Sequence, residues 1–202
     1  MSKSRSVLSI VLIIVVTAAI APPVVAKIVH SAPLDYAAIH VDSISRDIPI
    51  RIQPFSADKA EIGHVKKESH REEAKRMMQN APTLLAEELK VGLKEAGFKD
   101  VAVVKKGDAL PKTHYLIQGE FTVLHPGSQQ ERLWVGFGAG KSKTCVEGKV
   151  TDQAGKDLAD FQNCRVGTWW GGSEGEMRND SRGSGNHISG FMHHWAEGDY
   201  AD

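Results

Sequence analysis

The glycine-rich segment Gly136–Ser142 has residue types that suggest phosphate chemistry. Its last three residues match the end of a phosphate-binding loop, but that motif, G-x-x-x-x-G-K-[ST], requires a glycine where Val135 stands. A strand is predicted to follow, so no helix N-terminus is available for a phosphate. Gly136, Gly138 and Gly140 instead alternate on one face of a strand and leave a bare groove for another backbone or an aromatic ring. We therefore expect no nucleotide and interpret the segment as part of a contact surface.

The segment Gly171–Gly175 matches G-x-S-x-G, the nucleophile elbow of α/β-hydrolases, with Ser173 as the candidate nucleophile. Asp180 and His187 follow in the chain order of a hydrolase triad. The elbow requires a sharp strand-to-helix turn on a parallel sheet, whereas the preceding sheet is predicted to be antiparallel. Residues 171–186 are rich in Gly, Ser, Asn and charge, which predicts a long loop. A small serine hydrolase is therefore the alternative hypothesis, and the leading one assigns no catalytic residue.

The nine histidines raise the question of a metal site, because His187, His193 and His194 lie close together in the sequence. On a helix, His187 and His194 share a face but lie about 10 Å apart along the axis, too far to bind one ion. His193 and His194 point about 100° apart, and neither pair has the i, i+4 spacing of a helical zinc site. A metal site would need His114 or His125 from the sheet. We expect solvated histidines, no metal and no cofactor.

Trp169 and Trp170 follow the last predicted strand with two large aromatic side chains. Because tryptophan is costly to leave in water, we expect both to be buried in the core or in an interface. The predicted contact surface for a partner therefore consists of Arg132, Gly136, Gly138, Gly140, Ser142, Trp169 and Trp170.

The two cysteines, Cys145 and Cys164, lie in the two strands of a predicted hairpin. If the hairpin centres on Ala154-Gly155, facing residues have numbers that sum to 309, and the cysteines are directly opposite. Cβ atoms of facing antiparallel residues lie about 4.5–5.5 Å apart and a disulfide needs about 3.5–4.5 Å, so the closer, non-hydrogen-bonded pairing accepts one. The alternative is two free thiols on a polar face, which is unusual in an oxidising compartment. We expect the disulfide.

Residues 1–26 predict a secretory signal peptide. A head with two basic residues precedes the apolar stretch Val7–Ala21, Pro22-Pro23 ends any helix, and Val24–Ala26 offers small or modest residues for a cleavage site. The alternative is an uncleaved inner-membrane anchor, because residues 7–26 reach the length of about 20 that a membrane span needs. We expect cleavage, and a periplasmic or secreted product.

Length and charge limit the classes of function. The chain has 202 residues, enough for one domain with its own core. Without residues 1–26, 23 basic residues face 25 acidic ones. Because no basic field is present, a nucleic-acid partner is not expected.

Hydrophobic periodicity predicts an α+β domain over residues 48–198, after a lead-in over 27–47 that contains one weak strand. The predicted elements are a strand at 48–54 that lies at an edge or begins at a proline, a helix at 69–96 kinked or divided near Pro82, a strand at 101–106, a longer strand at 114–123, extended chain at 133–140, hairpin strands at 142–151 and 158–168, and a short C-terminal helix that begins near Asn186 and carries Ile188, Phe191, Met192 and Trp195. The order is strand, helix, strand and antiparallel meander, with helices on one face of a two- or three-layer fold.

Several spaced elements resemble the bacterial DUF4410 family, a domain of unknown function. They lie within roughly residues 45–197 and are Gly97-Phe98, Tyr115-x-Ile117-x-Gly119, Pro126-Gly127-Ser128, Arg132, Gly136-x-Gly138-x-Gly140-x-Ser142 and Asp152-x-x-Gly155. The resemblance implies an exported, often lipid-anchored envelope protein with no established reaction. It also implies a fold similar to domains of curli-secretion channel subunits and periplasmic transport auxiliary lipoproteins. No cysteine precedes Cys145, so we expect no lipid anchor here.

Together these features predict a non-enzymatic, exported interaction module of the cell envelope. Its expected partner is an envelope protein or a second copy of the chain, with membrane contact only through an uncleaved N-terminal segment. The alternatives are the serine hydrolase and a self-assembling structural component of the envelope.

Overall fold

The computed structural model describes residues 26–30, 32–62, 68–125, 142–167 and 173–201. Its elements are β1 (Lys27–Ile28), β2 (Tyr36–Ile39), β3 (Ile50–Ile52), α1 (Glu68–Glu95), β4 (Val101–Val103), β5 (Tyr115–His125), β6 (Lys143–Asp152), β7 (Asp157–Val166) and α2 (Ser173–Glu197). Within the described ranges, neither helix has an apolar stretch long enough to cross a bilayer.

The strands form one mixed sheet in the order β1-β2-β7-β6-β5-β3-β4. Strand β3 pairs in parallel with both β4 and β5, and the other pairs are antiparallel. The predicted α+β class is therefore confirmed. The sequence predicted that this strand either lies at an edge or begins at a proline. Strand β3 lies inside the sheet and begins directly after Pro49, so the second prediction is the correct one. Pro49 and Pro54 flank the paired residues Ile50–Ile52, so neither proline removes a ladder hydrogen bond.

Both helices pack on one face of the sheet, which we call the helix face. Its strand residues form a single core with the helices, and the largest fully buried side chains are Phe55, Phe121, Phe161, Phe191, Trp195, Ile39, Ile50, Ile52, Leu85, Leu89, Leu93 and Ile117. No described element covers the other face, which we call the open face. Strands β5, β6 and β7 place polar side chains there, because strand side chains alternate between the two faces.

Helix α1 continues through Pro82, so the predicted division into two helices was wrong. Proline in a helix interior costs about 3 kcal/mol, because one hydrogen bond is lost and the ring clashes with the preceding turn. The buried stripe that includes Ala81, Leu85 and Leu89 continues in phase across the proline, and its burial offsets that cost. Gly97 ends the helix as a left-handed cap, since it has φ +89°.

The loop predicted for residues 171–186 is wrong, because α2 begins at Ser173 and Asn186 lies in its interior. Glycine and serine are weak helix formers, but here they let two helices approach closely. A Cβ at Gly185 would lie 3.1 Å from the backbone of Glu88 and Leu89 in α1. Packing against α1 therefore decides the conformation of this segment, as it does for most helices in proteins.

The hairpin β6–β7 confirms the predicted register. Residues Lys143–Val150 face partners whose numbers sum to 309, and Cys145 is directly opposite Cys164. The two cysteines form a disulfide with a Cα–Cα distance of 4.1 Å. A shift near the turn pairs Thr151 with Asp157, one residue away from the simple register.

Candidate functional site

Most of the predicted contact surface lies outside the described residues. This applies to Arg132, Gly136, Gly138, Gly140, Trp169 and Trp170. Ser142 is described, and it is 1% exposed with its hydroxyl 3.4 Å from a carboxylate oxygen of Asp180 in α2. Ser142 therefore joins β6 to α2, and the contact surface as a whole stays a prediction. The strand residues nearest to these segments are His125, Lys143 and Val166. They face one another at one end of β5, β6 and β7.

The residues of the alternative hydrolase do not form a triad. Ser173, Asp180 and His187 all lie in α2 at intervals of seven residues, which separates neighbours by about 10 Å along the axis. A nucleophile, base and orienting acid need hydrogen-bond contact, at about 2.6–3.2 Å. Asp180 instead accepts a hydrogen bond from the hydroxyl of Thr144 in β6, and His187 lies 3.1 Å from the side-chain amide nitrogen of Asn163 in β7. The geometry therefore gives no support to a serine hydrolase.

The predicted solvation of the histidines was wrong for His187 and His193. The guanidinium of Arg46 donates to Nδ1 of His193 at 2.8 Å, and His187 is half-buried between α2 and β7. His194 is exposed and lies 2.7 Å from a carboxylate oxygen of Asp199. In the part of the chain that the structure describes, no three His, Cys, Asp or Glu side chains are placed to hold a metal ion.

Burial shifts the acid–base behaviour of His187. Loss of water lowers its pKa, the nearby Arg165 cation lowers it further, and Asp35 opposes both effects. The surrounding contact between α2 and the sheet contains several buried polar side chains, namely Ser142, Thr144, Asn163, Asp180, Ser181 and Ser184. Within the described part of the chain, the Oδ1 atom of Asn163 and the hydroxyls of Ser181 and Ser184 have no hydrogen-bond partner. Each such atom costs roughly 1–3 kcal/mol of stability.

A groove of about 470 Å³ crosses the open face. Two rows of directly facing residues line it, and they run across the strands rather than along them. The first row is Tyr36, Gln162, Glu147 and Glu120, and the second is Asp160, Lys149 and Gln118. Gln53 extends the lining beyond β5.

Two paired glycines lie between the rows and explain why large rings pack directly behind the groove. A Cβ at Gly119 would lie 2.2 Å from the carbonyl oxygen of Glu147 and 2.7 Å from the Phe55 ring. A Cβ at Gly148 would lie 2.5 Å from the Phe161 ring. Sequence reasoning missed the groove, although glycine inside a strand is a signal of such close approach.

The charges in the groove are unevenly paired. Nζ of Lys149 contacts Asp157 at 2.9 Å, and Nε2 of His40 contacts Asp160 at 2.8 Å. Glu120 and Glu147 face each other directly, and among the described residues neither forms an ion pair. Like charges directly opposite each other destabilise a sheet. We call these two residues the acidic pair.

Comparison with known proteins identifies one family. The model of the Domain of unknown function (DUF4410) matches residues 50–170. Among solved structures, a PelC dodecamer from Paraburkholderia phytofirmans in space group P6 is 11% identical, with a TM-score of 0.44, and covers 72% of this chain and 91% of that one. A dodecamer of a PelC point variant from the same organism has the same identity and TM-score, and covers 73% and 90%. No curated protein matches. Because the family model spans more than half of the 202 residues, the resemblance seen in the sequence is confirmed, and this chain belongs to the DUF4410 family.

Proposed function

We propose that this chain is a non-enzymatic, exported binding module of the bacterial cell envelope. One observation carries the proposal: two helices cover one face of the sheet, and the open face keeps a polar groove. Ligand sites are concave and usually occupy about 300–1,000 Å³, a range that includes this groove. The family has no assigned reaction, and the candidate triad is not assembled.

Export rests on the N-terminal segment and is supported by the disulfide. Residues 1–26 have the order of a signal peptide, and disulfides persist mainly in oxidising compartments. We expect the mature chain to begin at Lys27 in the periplasm or outside the cell. Mass spectrometry of the envelope protein tests this, since a product that retains residues 1–26 contradicts cleavage and favours the anchor.

We propose that the partner contacts the open face and the adjoining end of β5, β6 and β7. The segment with Arg132 and Gly136–Ser142 connects β5 to β6, and Trp169 and Trp170 follow β7, so both attach at this end. The partner is an envelope protein, and a second copy of the chain is the alternative partner.

A pull-down from envelope extract tests the function. The bait is the wild-type chain, the variant Arg132→Ala/Trp170→Ala, or the control Lys156→Ala, which changes the exposed turn at the opposite end of the hairpin. We expect the double variant to lose a partner that the wild type and the control retain. Capture of no specific partner by the wild type contradicts the proposal. If the captured protein is this chain and its mass in solution is a multiple, the module self-assembles.

A further inference from the structure

We propose that the groove on the open face binds arginine or lysine side chains of an extended segment of a partner protein. This inference rests on the proposed function and adds the chemistry of the partner. It assigns Glu120 and Glu147 as the groups that receive the cation.

The shape of the groove suits an extended segment. Its first row joins β2, β7, β6 and β5, and strands lie about 4.8 Å apart, so the row spans about 14 Å. An extended chain rises about 3.4 Å per residue, so about four residues cover this distance. Tyr36 is at one end of the row and the acidic pair is at the other.

Charge determines which side chains fit. The lining holds three carboxylates and one ammonium group, and that ammonium group is already bound to Asp157. The acidic pair is exposed, directly opposed and without an ion pair among the described residues. A guanidinium or ammonium group between Glu120 and Glu147 would remove their repulsion and form charge-assisted hydrogen bonds, which are about twice as strong as neutral ones.

The rest of the lining favours a peptide over a metal ion. The carboxamides of Gln118 and Gln162 can donate to and accept from a peptide backbone. Tyr36 is 38% exposed, and its ring offers a face for a second cation. A metal would need a compact set of ligands, and no such set is present in the described ranges.

A binding experiment on the full chain, purified from the envelope fraction, tests the inference. The probe is a fluorescent hexapeptide with arginine at alternate positions, and the matched probe carries neutral citrulline at those positions. The variant is Glu120→Gln/Glu147→Gln, and the control is Glu95→Gln, which removes an exposed carboxylate from α1. We expect the arginine peptide to bind the wild type and the control at least tenfold more tightly than the double variant. The citrulline peptide is expected to bind weakly to all three.

Thermal unfolding distinguishes a lost binding site from a misfolded Glu120→Gln/Glu147→Gln variant. Because the substitutions remove like charges that face each other, we expect the double variant to unfold at the same temperature as the wild type or higher. Equal peptide affinity for the wild type and the double variant would overturn the inference. So would spermidine binding as tightly as the peptide, since the ligand would then be a free organic cation.

The failure of this inference can be told apart from failure of the proposed function. If Glu120→Gln/Glu147→Gln still captures the partner from envelope extract, the groove is not the partner's site, although the chain is a binding module. If the wild type captures nothing specific, the proposed function itself fails.

Discussion

The two halves of α2 contact the same sheet with opposite chemistry. In the C-terminal half, which we call the aromatic end, Phe191 stacks on Trp195 at 5.6 Å and on Tyr200 at 5.7 Å. In the part from Ser173 to His187, which we call the polar end, Asp180 and His187 contact polar residues of β6 and β7. Among the described residues, the contact at the polar end has three buried side-chain oxygens without a hydrogen-bond partner, those of Asn163, Ser181 and Ser184, whereas the aromatic end has stacked apolar rings and one such oxygen, the Tyr200 hydroxyl. We therefore expect α2 to open first at its polar end, where the predicted contact surface attaches.

The largest effect on stability is expected from Trp195→Ala at the aromatic end. The side chain is fully buried, and its indole nitrogen donates to the carbonyl oxygen of Val41 at 3.0 Å. We expect a loss of about 3–5 kcal/mol in the free energy of unfolding, measured with urea, because the change leaves a cavity. Val91→Ala is the control, since Val91 is 49% exposed in α1 and should change stability little. A loss below about 1 kcal/mol would mean that the aromatic end does not hold α2.

The next test removes the disulfide near the polar end. Cys145 and Cys164 are 19 residues apart, and closing a loop of this size contributes about 3 kcal/mol. We expect Cys145→Ala/Cys164→Ala to lower the free energy of unfolding by about that amount. Reductant should destabilise the wild type and leave the double variant unchanged. A wild type that does not respond to reductant would show that the bond is absent in the purified protein.

At the polar end, Ser184→Ala should raise the free energy of unfolding, whereas the two preceding changes lower it. The hydroxyl is buried with no partner among the residues that the structure describes, and alanine has the higher helix propensity. We expect a gain of about 1 kcal/mol in the free energy of unfolding. Tyr200→Phe is the matched change at the aromatic end, because no described residue is a hydrogen-bond partner of its hydroxyl. Destabilisation by Ser184→Ala would indicate a buried water or another partner for the hydroxyl.

The smallest expected effect is the pH dependence that His187 causes. Burial and Arg165 lower its pKa in the folded chain, so the unfolded chain binds the proton more readily. Stability from this group is present above the unfolded pKa of 6.5 and is lost as the pH falls through the lower folded value. His187→Gln should flatten this part of the curve of unfolding free energy against pH. An unchanged slope would assign the dependence to other groups.

At the aromatic end, pH acts in the opposite direction and in a different range. Burial, and then the charge of Asp199, raise the pKa of Tyr200 to about 12. Because the phenol in the unfolded chain ionises near its ordinary pKa of 10.0, stability from this group is present below that pH and is lost as the pH rises towards 12. Absorbance at alkaline pH should therefore show a component that ionises late, and Tyr200→Phe should remove that component. Early ionisation of all tyrosines would contradict burial of this hydroxyl.

Several elements could be predicted because their signals are local. The hairpin register follows from the turn at Ala154-Gly155, where Gly155 has φ +77°, and it places Cys145 opposite Cys164. The stripe with Phe191 and Trp195 indicated a buried helix face, and both side chains are fully buried. In each case, the spacing of residues that are close in the sequence determines which side chains face each other or the core.

The polar end of α2 could not be predicted in the same way. Its Gly- and Ser-rich sequence has low helix propensity, and the compensation comes from α1, which lies far away in the chain. A Cβ at Gly185 would lie 3.1 Å from the backbone of Glu88 and Leu89, so only a small residue allows this crossing. The same composition is typical of a loop and of a close helix contact, and the sequence contains nothing local that distinguishes them.

The amino-acid sequence alone was sufficient for the family, the α+β class, the register of the hairpin and the disulfide. Each depends on spacing within one stretch of chain or on matched motifs. Only the tertiary structure decided that residues 173–186 are helical and that Tyr36, Gln162, Glu147 and Glu120 form one row. The physical reason is that such a row depends on the order and register of four strands, whose pairing joins residues far apart in the sequence.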